Sequence, residues 1–120
     1  MLSLPDTVQV FAATQPVDGR CGMDRLSAMV RHSLGHDPLS GQLFVFFSKR
    51  LDGAKVLYFA RGGYWLLCRR LERGRFCLPW DTTGPLTAHP LEFAQLQLLL
   101  EGIDLRDARL RPRWIPWQKT

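Results

Sequence analysis

Cysteine is scarce in this chain of 120 residues, and what there is does not pair. Cys21, Cys68 and Cys77 are odd in number and lack CxxC spacing. That argues against a disulfide scaffold or a cysteine-rich zinc site and points to a reducing compartment. Long apolar runs are missing too, and none approaches the roughly 20 residues of a membrane span. The opening MLSLPDTVQV has no basic leader before an apolar run, so a cytoplasmic location is expected. No GxGxxG, P-loop or GxSxG occurs, and Ser40-Gly41 lies in turn chemistry without a companion base. His32 and His36 stand four apart with no third ligand nearby, and read as surface histidines. Asp18 and Asp24 flank a helix start, where turn and first-turn roles account for them. Neither a catalytic constellation, a metal nor a cofactor is expected.

What the sequence has is enough apolar content to fold. It is 46% hydrophobic and 22% charged, the balance of a globular protein and not of a disordered one. A chain of this length buries roughly two-thirds of its unfolded surface as one domain.

The net charge of +5 is unevenly placed. Residues 49–75 carry eight basic groups against Asp52 and Glu72, and residues 106–120 carry five against one. Residues 1–48 and 76–105 are each acidic on balance. A central block and a tail of positive charge suit a polyanion, although moderate excess charge also serves solubility.

Periodicity predicts an α+β fold. A strand is expected over 7–11 and a helix over 22–34, with Met23, Leu26, Val30 and Leu34 on one face and Gly35 as its stop. A buried strand follows over 43–47. Strands over 54–60 and 64–71 and the run Arg75-Phe76-Cys77-Leu78 are separated by Gly-containing turns, which predicts an antiparallel β-meander. A last helix is expected over about 88–101 with Thr87 as its N-cap. The expected architecture is thus one small domain over 1–105, a meander packed against two helices, with an extended basic tail over 106–120.

The stretch RRLERGRFCLPW, residues 69–80, holds four arginines in seven residues. Adjacent in a strand, Arg69 and Arg70 must point to opposite faces. A three-residue loop over 61–63 sets Lys55 opposite Arg69, and a Gly62-Gly63 loop sets it opposite Arg70. Either way like charges meet, unless they splay or share an anion. An Arg73-Gly74 turn pairs Glu72 with Arg75. The candidate polyanion contacts are Lys49, Arg50, Lys55, Arg61, Arg69, Arg70 and Arg73, directed at phosphates and not at base edges. Tyr58, Phe59, Tyr64, Trp65 and Phe76 interleave with this charge, as in single-strand stacking platforms, but in a meander with largely apolar faces they read as core residues, as do Cys68 and Cys77.

Several ordered motifs resemble one family. Asp37-Pro38-Leu39-Ser40-Gly41-Gln42-Leu43-Phe44-Val45-Phe46 is similar to the DPxSGxLFVF motif of TnpB-type accessory proteins of insertion sequence 66-like elements. Lys55-Val56-Leu57-Tyr58, Gly63-Tyr64-Trp65-Leu66, the segment Arg70 to Phe76 with Pro79, and Leu98-Leu99-Leu100-Glu101-Gly102-Ile103-Asp104 continue the likeness. Cys21 stands where the family usually has Lys, and Phe59-Ala60 where it has an aromatic followed by Asp. The resemblance implies a non-catalytic helper in transposition, working beside a separate transposase. It assigns no residue roles. The expected partners are DNA at the element ends and the transposase, met through a basic sheet surface. The alternative is a module that binds the transposase without touching DNA, with Trp114 and Trp117 of the tail as docking residues.

Overall fold

The computed structural model describes residues 8–102. Its elements are β1 (Val10–Ala13), α1 (Met23–His32), β2 (Leu43–Phe47), β3 (Gly53–Ala60), β4 (Gly63–Arg70), β5 (Ala88–Leu91) and α2 (Phe93–Leu100). The class is α+β, as expected, but the sheet is mixed and not a simple meander. Its five strands run in the order β4-β3-β2-β1-β5. β1 and β2 pair in parallel because α1 carries the chain back between them; the remaining pairs are antiparallel.

Every residue of β2, LFVFF, is buried, which follows from its place at the centre of the sheet. The alternation along the strands splits the core in two. Phe44, Phe46 and Leu57 pack with Leu26 and Val30 of α1 on one face. Val45, Phe47, Ala54 and Val56 pack with Leu96 and Leu99 of α2 on the other.

Three expectations are corrected. Residues 75–78 form no strand; Phe76, 1% exposed, drops from the loop onto the α2-side core and meets Phe47 edge-on at 5.4 Å. The segment 88–91, expected as the first turn of a helix, is an edge strand opposite β1. An edge position tolerates the missing N–H of Pro90. α2 therefore starts at Phe93, with Glu92 as its N-cap and a reciprocal capping box with Gln95. Thr87 has another task, exchanging hydrogen bonds with Thr14 across the chain.

The β3–β4 register is the third correction. The loop is Arg61-Gly62, both in the left-handed region with φ of 53° and 79°, as a type I′ hairpin requires. Ala60 faces Gly63, and Lys55 faces Cys68 instead of either arginine. Among the described residues Glu72 and Arg75 form no ion pair; the one recorded there joins Asp18 and Arg20. The tail over 106–120, with Trp114 and Trp117, lies outside the described residues.

Candidate nucleic-acid interface

A cleft of about 590 Å3 opens at the carboxyl ends of β1 and β2. One wall is the loop after β1 with Asp18 and Gly19; the other is the β2–β3 loop with Ser48, Lys49, Arg50 and Asp52. The start of β3 with Lys55 and the end of β4 with Cys68, Arg69 and Arg70 complete it. Val17 donates its N–H to the Phe47 carbonyl at 2.8 Å, which extends the parallel pairing and fixes both loops at the cleft mouth.

Strand geometry sorts the cations. Lys55 and Arg70 lie on the α1-side face, diagonal to one another across the β3–β4 pair. Diagonal neighbours in a sheet are about 7–8 Å apart, close enough for two long side chains to reach one phosphate. Lys55 Nζ donates to the Cys21 carbonyl at 2.7 Å, which holds the half-buried ammonium against the cleft and ties β3 to the entry of α1. An ammonium has three donors, so this bond leaves two. Arg69 points to the opposite face, as alternation requires, and its Nε donates to the Leu100 carbonyl at 2.6 Å. It thereby caps the last turn of α2, where a cation also complements the helix dipole.

The acidic groups of the cleft are engaged. Arg20 grips Asp18 through both side-chain oxygens, at 3.2 and 2.9 Å, and through its backbone N–H at 2.9 Å. These bonds hold the Asp18 carboxyl well below the usual carboxylate range, and the charges of Arg20 and Lys49 push the same way. Asp52 accepts from the Ser48 hydroxyl at 3.1 Å, while that hydroxyl accepts from the Gly53 N–H at 3.0 Å. The β2–β3 loop that presents Lys49 and Arg50 is further pinned where the Phe76 N–H donates to the Leu51 carbonyl at 2.7 Å.

Of the seven candidate contacts, Lys49, Arg50, Lys55, Arg69 and Arg70 line this cleft. Arg61 sits at the far tip of the β3–β4 hairpin, and Arg73 lies in the loop beyond β4, outside the lining. The Asp18-Gly19 wall escaped sequence reading as part of a site. Its only signal was Asp18 two residues before Arg20 in a glycine turn. Phe76 is core, but Trp65 is 51% exposed and Leu67 38% exposed on the edge strand β4. Cys68 is exposed as well, facing the cleft and not the core, and Cys77 is half-buried. His36 is half-buried, its ring 4.3 Å from that of Phe11, while His32 is exposed.

A helix-flanked mixed sheet with a basic cleft at its parallel strand ends defines the class: a small α+β protein with a cationic concavity. The profile of the IS66 Orf2-like protein family matches residues 8–110, and the chain belongs to that family. Its role is accordingly that of an accessory protein associated with transposition. Two relatives from Sinorhizobium fredii (strain NBRC 101917 / NGR234) are similar over nearly their whole length. The uncharacterized protein y4jC is 38% identical over 105 residues, 88% of this chain and 87% of its own. The uncharacterized protein y4hO is 40% identical over 106 residues, covering 88% of this chain and 90% of its own. No solved structure matches. No described helix is long and apolar enough to cross a membrane.

Proposed function

We propose that this protein assists transposition of an IS66-type element by holding DNA, alone or within the transposase–DNA complex, against the basic cleft. The supporting observation is that Lys49, Arg50, Lys55 and Arg70 converge from separate segments on one concavity whose acidic residues already have partners. Charge serving solubility alone has no reason to converge. Contacts of this kind go to phosphates and fix position; they do not read sequence. Arg61 and Arg73 remain outer contacts in this reading, and Arg69 contributes chiefly through α2.

Binding of terminal-repeat duplex DNA, followed by fluorescence anisotropy against salt, tests the reading. Four phosphate contacts at about 0.9 counterions each give a slope near −3.6 and cost about two decades of affinity between 50 and 200 mM salt. Absence of binding at the lower salt removes it. A second reading, docking on the transposase protein, draws support from Trp65 and Leu67 on the edge strand β4. An edge strand with exposed apolar side chains suits strand addition by a partner. Trp65→Ser with Leu67→Ser would then abolish co-purification with the transposase, and deletion of 106–120 tests the share of Trp114 and Trp117.

A further inference from the structure

We infer that the cleft seats one splayed nucleotide of a single-stranded nucleic acid, with Lys55 and Arg70 on its phosphate, in preference to the flank of a continuous duplex. The inference rests on the nucleic-acid reading above and narrows it to a substrate class. Duplex DNA is a convex rod, and its phosphates meet side chains that project from a protein surface. Here the central cation does not project. Lys55 is half-buried, and its bond to the Cys21 carbonyl keeps the ammonium against the cleft wall, where a group that enters the cleft meets it. The cleft volume of about 590 Å3 falls within the range of roughly 300–1,000 Å3 that encloses small ligands.

A single strand can deliver such a group, because its backbone bends and an unstacked nucleotide swings out freely, while a paired one must first be extruded. Lys49 and Arg50, both exposed on the β2–β3 loop that forms one wall, then meet a phosphate flanking the seated one. Phe46 and Phe47, the aromatic residues of the lining, are 1% and 0% exposed and offer no open ring face. The base is therefore held without stacking, and the cleft takes pyrimidine and purine strands alike.

Cys68 supplies an internal reporter, since it is exposed, lines the cleft and lies directly across the strand pair from Lys55. The test uses the full chain with a labelled single-stranded oligonucleotide, a duplex of the same length, and a nucleoside monophosphate. Affinity is read by anisotropy at one salt concentration, and Cys68 alkylation by mass spectrometry. The single strand is expected to bind at least tenfold tighter than the duplex and to slow alkylation of Cys68 by a similar factor. Arg70→Ala is expected to abolish most of that preference; Lys55→Ala should do the same, and circular dichroism separates its effect from misfolding. Equal affinity for duplex and single strand overturns this inference while leaving the DNA reading intact. So does protection of Cys68 by the monophosphate alone. Failure of every oligonucleotide to bind removes both.

Discussion

Arg69 donates from Nε to the carbonyl oxygen of Leu100 at 2.6 Å, while Arg70, its neighbour in β4, points to the other face of the sheet into the basic cleft. Two adjacent arginines thus have unlike tasks. Arg69→Ala is expected to lose one charge-assisted hydrogen bond at an exposed helix end, about 1 kcal/mol. For a chain of 120 residues that lowers Tm by about 3–5 °C. Arg70→Ala leaves Tm nearly unchanged and weakens DNA binding about tenfold at 50 mM salt. Thermal melts and anisotropy on the two variants separate the roles; the reverse pattern would exchange them.

Phe76 connects core packing to the cleft. Its ring fills the α2-side core against Phe47, and its N–H holds the Leu51 carbonyl within the loop that carries Lys49 and Arg50. Phe76→Ala is expected to cost about 3–5 kcal/mol, the usual range for a buried phenylalanine. Phe76→Leu keeps most of the volume and the backbone bond, and should cost less than half as much. Denaturant unfolding measures both. A loss below about 1 kcal/mol for Phe76→Ala would mean that the loop over 71–87 does not anchor through this side chain.

The Asp18–Arg20 clamp makes a pH prediction. Hydrogen bonds from Arg20 depress the folded-state pKa of Asp18 below its unfolded value near 3.9. A depressed carboxyl contributes stability above the unfolded pKa, and the contribution is lost as pH falls through the folded one. The pair is exposed, so solvent and salt keep the contribution small. Asp18 should stay ionised to pH 3 when followed by side-chain carboxyl NMR, and Arg20→Ala should return its titration to the ordinary carboxylate range. A midpoint near 4 in the parent protein would show that the clamp is not maintained in solution.

The strands β2, β3 and β4 were legible in the sequence because apolar runs bounded by Asp52-Gly53 and Arg61-Gly62-Gly63 leave few other choices. The helix α1 was legible from the spacing of Leu26, Val30 and Leu34. The parallel partnership of β1 and β2 was not, since it depends on a pairing about 33 residues apart in sequence that no local pattern encodes. β5 was hidden by its own composition: Ala88-His89-Pro90-Leu91 has poor strand propensity and takes its place by pairing with β1. Nor could the cleft be read in advance. The hairpin register depended on a left-handed Arg61 that a glycine-based reading passes over, and that register decides which cation sits beside which. The opposed faces of Arg69 and Arg70 followed from strand alternation alone, so that part of the site was legible.

Arg61 allows fold and site to be tested in one substitution. It occupies the first position of a type I′ turn at φ 53°, where a side chain other than Asn, Asp or Gly is strained by about 1 kcal/mol. Arg61→Asn creates the favoured Asn-Gly turn and should raise Tm by several degrees. The same change removes one of the seven candidate cations. The hairpin tip lies roughly 20 Å from Lys55, at about 3.3 Å per residue along β3, which is twice the screening length in 0.1 M salt. DNA affinity should therefore change by less than about twofold. If Arg61→Asn instead weakens binding as strongly as Arg70→Ala, nucleic acid runs along the whole hairpin edge and is not confined to the cleft.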